Sequence, residues 1–506
     1  MACRVIVVGA GMGGLAAALD LARQGCDVTV LERAAAPGGK MRDVSVGPAR
    51  IGAGPTVFTM RWVFEALFQD AGATLSDHLT LTPAKVLARH AWGDTRLDLH
   101  ANTDRSADAI GAFAGASEAA GFRAFCTEAR RIYQTLEGPF IRSPRPNPMS
   151  LALNAGMGEM WRIRPFDTMW RALSQHFTDP RLRQLFGRYA TYCGSSPFLA
   201  PATLMLVAHV EQDGVWLVEG GMHRVAVAVA GLLQAQGGTI RSGAEVAEVL
   251  TASGRVSGVR LLSGERAEAD SVVLNADPAA LPAQLFGRAV AGSVPALPVA
   301  ERSLSAVTWA AVAETEGFPL LHHSVFFSDD YAAEFRDLAD GRVPGQPTVY
   351  VCAQDRDSEG QRTAAGPERL LCLVNAPALG DVRDLTPEEM DACTDRTFRL
   401  LARSGLRLTH QVPPVVTTPR GFAALFPGTG GALYGPAVHG AMASFKRPAS
   451  RTKLPGLYLA GGATHPGAGV PMAALSGRLA AQALMADHAS TATSRRTATR
   501  GGMLTR

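Results

Sequence analysis

A glycine-rich turn between two apolar segments, within residues 5–32, constrains this chain more than any other feature. Its order predicts a buried strand, a turn, a helix and a second strand that ends in an acid. Gly9 permits a tight turn, Gly11 lets the backbone approach a pyrophosphate, and Gly14 lets helix and strand pack closely. The helix N-terminus stabilises phosphate charge, and Glu32 is placed to accept hydrogen bonds from an adenosine ribose. The segment therefore predicts a dinucleotide-binding unit, because neither a signal peptide nor a glycine hairpin needs this spacing.

The length and composition indicate a multidomain protein with unusually little charge. The chain has 506 residues, which favours two or three domains. Charged residues make up 19%, against about 25% in ordinary soluble proteins. The most apolar uncharged run, residues 5–19, is shorter than the ~20 residues of a membrane span. We therefore expect no transmembrane helix, and either a large apolar cavity, an apolar docking face or an alanine-rich core.

Charge and cysteine patterns exclude several classes of partner. The net charge is +4, and no basic stripe is interleaved with aromatic residues, so we expect no nucleic-acid binding. The seven cysteines have no CxxC spacing, which predicts neither a metal site nor a disulfide framework. Scattered cysteines of odd number are typical of a reducing cytoplasm, where we expect the protein to act.

Two further glycine-rich segments point toward the same cofactor. Gly38-Gly39-Lys40 exposes backbone N–H groups and a cation that could meet a phosphate or the edge of a ring, and an extended Gly54-Pro55-Thr56 follows. Near the C-terminus an apolar strand, 456–460, leads into the glycine-rich run 461–472 and a helix to about residue 486. A helix N-terminus there would stabilise negative charge on a reduced isoalloxazine ring. Ordinary loops or a structural helix entry are the alternatives.

The middle of the chain shows two other patterns. Helical periodicity dominates from about residue 60 to 215, including a predicted helix over 107–120, and strands return from about 239. Met149, Phe166, Met169, Trp170 and their neighbours could line an apolar channel, lie on a membrane or form a buried core. These neighbours are Leu151, Met157, Met160 and Trp161. No second GxGxxG follows a strand, so we expect no nicotinamide domain. Electrons would then come from an organic substrate and leave to a quinone or oxygen.

These segments together resemble the phytoene desaturase family of bacterial carotenoid flavoenzymes. The resemblance rests on residues 9–40, 54–57, 215–221 and 275–277, and above all on the loop Thr464-His-Pro-Gly-Ala-Gly-Val-Pro471. It implies an α/β (α+β) fold of the monoamine-oxidase type, a Rossmann-like FAD-binding domain with an inserted mixed α/β substrate domain. We divide the chain into FAD-binding parts at 1–75, 214–288 and 431–487, substrate parts at 76–213 and 289–430, and a disordered tail at 488–506.

The resemblance also implies roles for individual residues. FAD would be bound through its pyrophosphate by the first glycine turn, through its ribose by Glu32 and through its adenine by Val246. Lys40 and its neighbours would approach the flavin, and the C-terminal loop would flank the ribityl chain and the ring. The residues so assigned are Gly9, Gly11, Gly14, Glu32, Gly39, Lys40, Gly54, Pro55, Thr56, Val246, Gly461, Gly462, Gly469, Val470, Pro471 and Met472.

The family's chemistry removes a hydride to the flavin and a proton to a base, beside a polyene. Residues 432–435 and 472–478 look like the subgroup that forms a C-3,4 double bond in 1-hydroxylated or methoxylated acyclic carotenoids. His465 and His223 are the candidate proton acceptors, although a histidine that bonds the loop backbone is the alternative for His465. The protein would lie at the cytoplasmic face of the inner membrane, from which its apolar substrate is taken.

Three other functions stay open at this point. A phytoene or neurosporene desaturase of the early pathway would share the same motifs. An amine oxidase is disfavoured, because residues 461–472 contain no aromatic for a cage beside the flavin. A flavin-free prenyl-binding protein of the Rab GDP-dissociation-inhibitor type would not need the intact phosphate turn and Glu32.

Overall fold

The computed structural model describes residues 3–500, except for the side chains of residues 152, 154, 155, 157, 160, 161 and 491–500. Glycine turns and short apolar runs divide the described chain into many short strands. In chain order they are β1 (Arg4–Val8), β2 (Asp27–Glu32), β3 (Asp43–Val46), β4 (Ala49–Gly52), β5 (Leu81–Pro83), β6 (Val86–Trp92), β7 (Thr95–His100), β8 (Trp216–Val218), β9 (Thr239–Ser242), β10 (Val246–Ala252), β11 (Arg255–Leu261), β12 (Arg266–Glu268), β13 (Ser271–Leu274), β14 (Ser305–Gly317), β15 (His323–Phe326), β16 (Val349–Ala353), β17 (Glu368–Ala376), β18 (Leu406–His410), β19 (Val415–Thr417) and β20 (Leu457–Leu459).

The α-helices of the described chain lie mainly in two regions, 103–235 and the C-terminus. They are α1 (Met12–Ala22), α2 (Arg61–Asp70), α3 (Thr103–Ala114), α4 (Ala116–Leu136), α5 (Pro148–Ala155), α6 (Met157–Arg162), α7 (Met169–Leu173), α8 (Pro180–Gly187), α9 (Leu206–Asp213), α10 (His223–Ala235), α11 (Tyr331–Ala339), α12 (Pro387–Arg403), α13 (Pro419–Leu425) and α14 (Val470–Arg500).

A five-stranded parallel sheet in the order β20-β13-β1-β2-β9 forms the centre of one half of the molecule. Its strands are short and almost wholly apolar, as expected for parallel strands covered on both faces. One face packs on α1, α10 and α14, and the other on the antiparallel sheet β10-β11-β12. The strands of this sheet come from three separated stretches of chain. The boundaries of the domains stay a prediction.

A second, larger sheet forms the centre of the other half. It has eight strands along the path β18-β14-β17-β16-β15-β6-β7, with β19 paired to β14. Most neighbours are antiparallel, and β15 pairs with β6 in parallel. One face packs on α12 through Trp309 and Leu401, and the helices α3, α4 and α7–α9 form a further apolar cluster beside it. The chain is therefore an α/β protein whose second sheet combines antiparallel and parallel pairs of strands.

Two elements differ from the sequence-based expectation between residues 60 and 215. Strands β6 and β7 form a hairpin at 86–100, where we expected helices to dominate. Leu97 and Leu99 alternate with polar residues, and Gly93 provides a positive φ of 56° in the turn, so the strand period was present in the sequence. The helix predicted over 107–120 is broken at Gly115, whose φ of 104° ends α3 before α4 begins.

The C-terminal end also differs from the expectation. Helix α14 continues to Arg500, although a disordered tail was predicted to begin at residue 488. Between Gly477 and Gly501 the sequence has neither glycine nor proline and is rich in alanine, so nothing in it interrupts a helix. Residues 501–506 of the predicted tail lie outside the described residues. Among the described residues, no helix has the length and apolar character that crossing a membrane requires.

Candidate active site

A large cavity lies between the two halves of the molecule. Its volume is about 800 Å³, and its walls include the ends of the parallel sheet, both glycine-rich loops and the inner face of the eight-stranded sheet. At one end lie Glu32 and Val246, and further residues of the wall are Leu151, Ile163 and Tyr350. A volume of this size is typical of sites that enclose a cofactor or a large ligand.

The N-terminus of α1 opens into this cavity without a side-chain cap. Gly11 is the residue before the helix, none of the first-turn residues is acidic, and Gly11, Met12 and Gly13 all line the cavity. The backbone N–H groups of a helix start and the positive end of its dipole bind anions. A side chain at Gly11 would put its Cβ 2.7 Å from the Asn275 Oδ1 atom, which is buried without a hydrogen-bond partner. The turn therefore fits a pyrophosphate.

Glu32 ends β2 at the wall of the cavity, and its carboxylate is held by the main chain. Its Oε2 accepts a hydrogen bond of 2.6 Å from the Ala10 N–H, and its Oε1 accepts one of 2.8 Å from the Ala34 N–H. Each carboxylate oxygen can accept a second hydrogen bond, so these contacts orient the group and leave it able to bind a ribose hydroxyl. The two main-chain hydrogen bonds could not be predicted from the residue pattern.

A second helix N-terminus faces the same cavity from the C-terminal loop. Gly469, Val470, Pro471 and Met472 line it at the start of α14, together with Gly461 and Gly462 after β20. Pro471 has no N–H to leave unpaired in the first turn. Two helix starts that converge on one cavity, one beside an acid at the end of β2, suit the diphosphate and the ring of FAD. The residues present thus fit this cofactor.

Two cations, the half-buried Lys40 and the buried Arg447, lie between the glycine loops and the eight-stranded sheet. Lys40 donates to the carbonyl of Leu433, and burial lowers the pKa of its ammonium group. Arg447, which the sequence analysis missed, donates to the carbonyls of Gly462 and Pro436 at 3.0 and 2.9 Å. Burial likewise lowers the pKa of the Arg447 guanidinium group. Both side chains bind loops, so they fix the backbone around the cavity.

The structure brings together on this one cavity every residue assigned to FAD except Gly14. Gly14 lies behind the turn, where a Cβ would stand 2.1 Å from the carbonyl oxygen of Gly9. It is therefore a packing position between α1 and the turn. The assignments of the others to parts of the cofactor stay predictions.

Neither histidine predicted as a proton acceptor lines the cavity. The His465 ring is buried, lies 2.8 Å from the Ser143 carbonyl oxygen through Nε2 and meets the edge of Phe140. Burial lowers its pKa to about 4. The Nδ1 atom of His223 lies 3.0 Å from the Met41 carbonyl oxygen. Both rings hold loops in place, and this position argues against a role in proton transfer.

A chain of polar groups that sequence reasoning missed does reach the cavity. The Thr56 Oγ1 and Tyr350 hydroxyl oxygens are 2.7 Å apart, and the Tyr350 hydroxyl is 2.7 Å from His323 Nδ1. Thr56 and Tyr350 line the cavity, while His323 lies behind them with its Nε2 buried and unpartnered. Burial lowers the pKa of His323 well below its usual value, so the ring is neutral. Only the fold brings β15, β16 and the Thr56 loop together.

The segment 149–170 has two different sides. Leu151, Ile163 and Pro165 line the cavity, whereas Met149, Leu153 and Phe166 are exposed by 75, 79 and 74%. Trp170 packs on Phe198 and Tyr331, and Met169 is fully buried, so the channel or membrane role does not extend to these two residues. The side chains of Met157, Met160 and Trp161 lie outside the described residues.

Comparison with known proteins identifies the family to which the chain is similar. The model of the family described as flavin containing amine oxidoreductase matches residues 12–485. The chain is 55% identical to a hydroxyneurosporene desaturase of Rubrivivax gelatinosus, with 99% of this chain and 97% of that protein covered. It is 48% identical to a hydroxyneurosporene desaturase of Cereibacter sphaeroides, with 96% and 98% covered. A solved structure of putrescine oxidase with putrescine aligns with a TM-score of 0.57 at 16% identity, covering 96% of this chain and 99% of that one, which shows the fold alone.

Proposed function

The chain belongs to the family of flavin-containing amine oxidoreductases, and from that premise we propose that it is an FAD-dependent carotenoid desaturase. Its reaction is the introduction of a C-3,4 double bond into a 1-hydroxylated or methoxylated acyclic carotenoid such as hydroxyneurosporene. The observation that carries this proposal is the identity of 55% to a hydroxyneurosporene desaturase along almost the whole of both chains.

The geometry supports this chemistry. Bound FAD supplies a two-electron acceptor for the hydride of a C–H bond beside the polyene. The contribution of the protein itself is to hold and orient the substrate, because conjugation already stabilises the charge that develops on the polyene. Apolar wall residues such as Leu151, Ile163 and Leu373 exclude water from the cavity and align an elongated hydrocarbon. The Thr56 and Tyr350 hydroxyls and the neutral His323 ring form a hydrogen-bonded chain that places polar groups in the cavity wall.

The test is conversion of defined carotenoids by the purified protein. The protein is incubated with FAD and with liposomes that contain either 1-hydroxyneurosporene or phytoene, and the extracted polyenes are examined by absorption. We expect a red-shifted spectrum from the hydroxylated substrate alone. Conversion of phytoene alone would assign the protein to the early pathway, and conversion of neither by a flavin-loaded protein would contradict the proposed reaction.

The electron acceptor is proposed to be a quinone or oxygen. The support for this proposal is that the sequence has no second GxGxxG after a strand with which to bind a nicotinamide. Reduced protein is mixed anaerobically with a quinone, with oxygen or with NAD, and the recovery of oxidised flavin absorbance is followed. Fast recovery with NAD but with neither of the others would contradict the proposal.

We further propose that the protein is cytoplasmic and takes its substrate from the inner membrane through the segment 149–166. The support is that this segment exposes Met149, Leu153 and Phe166 while Leu151 and Ile163 line the cavity. The double variant Met149→Asp/Leu153→Asp should lower sedimentation with liposomes and leave bound FAD unchanged. A matched control is Val382→Asp/Leu262→Asp, two exposed apolar residues elsewhere. Equal sedimentation of both variants and the parent protein would contradict the proposed contact.

A further inference from the structure

A cluster of hydrogen-bonded polar groups interrupts the apolar wall of the cavity. Arg188, Tyr192 and Glu211 all line the cavity. The Arg188 Nη2 atom donates to the Tyr192 hydroxyl at 3.0 Å, and that hydroxyl donates to Glu211 Oε1 at 2.7 Å. The second Glu211 oxygen accepts a hydrogen bond of 2.6 Å from the hydroxyl of Tyr189. No local pattern predicts this cluster, since its members come from the turn after α8 and from α9.

The guanidinium group of Arg188 is buried without being fully satisfied. The residue is only 9% exposed, and its Nε atom is buried without a hydrogen-bond partner. Among the described residues, no carboxylate oxygen lies within 4.0 Å of its nitrogens, and Glu211 is reached only through Tyr192. A buried charge costs stability unless hydrogen bonds compensate for lost water. An unpaired donor in a residue that lines the cavity therefore points to a ligand with an acceptor atom.

The two other cations described above, Lys40 and Arg447, bind main-chain loops instead. Both side chains donate to main-chain carbonyls of loops that surround the cavity. Arg188 instead provides a hydrogen-bond donor and Glu211 an acceptor, and the Tyr192 hydroxyl links the two. Both residues line the cavity on its helical side. Glu211 is itself only 8% exposed, and each of its oxygens can accept one more hydrogen bond.

We propose that Arg188 and Glu211 bind the hydroxyl group at the end of the polyene. A hydroxyl is both donor and acceptor, so its oxygen accepts from the guanidinium while its proton is donated to the carboxylate. The inference rests on the proposed function and names the groups that recognise the hydroxylated end. Because that oxygen lies on C-1, two carbons from C-3, holding it fixes which bond of the chain lies beside the flavin. Arg188 is thus a specificity-determining and positioning residue.

The test compares two substrates that differ only in this hydroxyl. They are 1-hydroxyneurosporene and 1,2-dihydroneurosporene, supplied in the same liposomes to the FAD-loaded protein. The quantity measured is the ratio of kcat/KM for the first to kcat/KM for the second. We expect the parent protein to favour the hydroxylated substrate, and Arg188→Met to lower the ratio by about 10- to 100-fold. Arg188→Lys, which keeps the charge, should recover part of it.

The matched control is Arg183→Met, a change of the same type in α8 at a side chain that does not line the cavity. It should leave the ratio unchanged. FAD content and the thermal midpoint are recorded for each variant, and Glu211→Gln replaces Arg188→Met if the latter fails to fold. An unchanged ratio in a folded, FAD-loaded Arg188→Met or Glu211→Gln protein would overturn the inference.

The outcomes separate the inference from the function on which it rests. A parent protein that desaturates both polyenes equally well would overturn hydroxyl recognition while the proposed desaturase activity stands. A parent protein that converts neither would contradict the proposed function itself. A lower ratio in Arg188→Met but not in Arg183→Met supports the inference, because a general loss of stability would affect both substrates alike.

Discussion

At the scale of single residues, the glycines of the N-terminal turn serve different physical needs. Gly9 has a φ of 97°, a conformation that other residues rarely adopt. Gly14 has ordinary helical geometry, but a Cβ there would stand 2.1 Å from the Gly9 carbonyl oxygen. Gly11 is extended, and its Cβ would meet Asn275 beside the cavity. The spacing in the sequence predicted the turn, whereas the role of Asn275 required the parallel sheet.

The variant Gly11→Ala should weaken FAD binding. The new Cβ would lie 2.7 Å from Asn275 Oδ1 and would displace the turn from the phosphate. We expect a roughly tenfold higher Kd, about 1.4 kcal/mol, in a titration of the apoprotein followed by flavin fluorescence. The control Gly231→Ala changes an exposed helical glycine with no neighbour within 4 Å of the new Cβ. An unchanged Kd in Gly11→Ala would show that the turn does not approach the phosphates.

Glu334 gives stability a pH dependence of defined sign. Its side chain is fully buried, accepts hydrogen bonds from Thr348 and Asn375, and has a pKa raised by burial from 4.5 to about 7. Between these two pH values the folded state holds a proton that the unfolded state has lost. This group therefore makes the free energy of unfolding fall as pH rises from about 4.5 to 7, by up to about 3 kcal/mol.

The measurement is denaturant unfolding at pH 5 and pH 7. Glu334→Gln should reduce the loss of stability between the two pH values, because the amide does not titrate. Glu316→Gln, at an exposed carboxyl on β14, is the control and should follow the parent protein. The same pH difference in Glu334→Gln and in the parent would contradict the assignment.

At the scale of elements, α14 packs so closely on α1 that it needs a glycine at Gly477, and α1 packs closely on the loop before α14 at Gly13. A Cβ at Gly477 would stand 2.1 Å from the carbonyl oxygen of Gly13, and one at Gly13 would stand 2.7 Å from the Gly461 nitrogen. Asp20 in α1, which is buried, accepts a hydrogen bond of 3.1 Å from Arg478 in α14. Both helix starts that face the cofactor cavity are thus held by one helix pair.

Gly477→Ala should therefore affect both stability and the site. Overpacking between two backbones costs about 1–3 kcal/mol, and moving α1 should also raise the Kd for FAD. Denaturant unfolding and the flavin titration measure the two effects on the same protein. Gly231→Ala again provides the comparison, since in an exposed helix the same change should stabilise slightly. Full stability of Gly477→Ala would contradict the close packing.

Elements differed in how well the sequence predicted them. Strands β1, β2 and β20 and helix α1 are apolar runs bounded by glycine, so local pattern was sufficient. The hairpin β6–β7 was missed because its short alternation lies directly before two long amphipathic helices. Its pairing with β15, more than two hundred residues later in the chain, had no local signal at all.

At the scale of the whole molecule, the cofactor cavity lies between the five-stranded parallel sheet and the eight-stranded sheet. FAD bound there would contact the parallel sheet, both glycine loops and the eight-stranded sheet together. A ligand that binds only the folded state stabilises it by an amount that rises with its concentration.

We expect the thermal midpoint of the apoprotein to rise as FAD is added, with a gain of about 2.7 kcal/mol in unfolding free energy at a hundred times Kd. Calorimetry over a range of FAD concentrations measures it. For Gly11→Ala the same curve should shift to higher FAD concentration. A thermal midpoint independent of FAD would contradict binding in this cavity.

The fold class could be predicted from the sequence alone, and local patterns also predicted the glycine turn, the position of Glu32 and the C-terminal glycine loop. These are local signals, because a strand, a turn and a helix start depend on residues that are neighbours in the chain. Which side chains share the cavity depends on how distant segments pack together. Arg188, Glu211 and Tyr350 come from distant segments, and the two predicted histidines proved to bind loops instead. Contacts between segments far apart in the chain follow from packing, and no spacing rule encodes them.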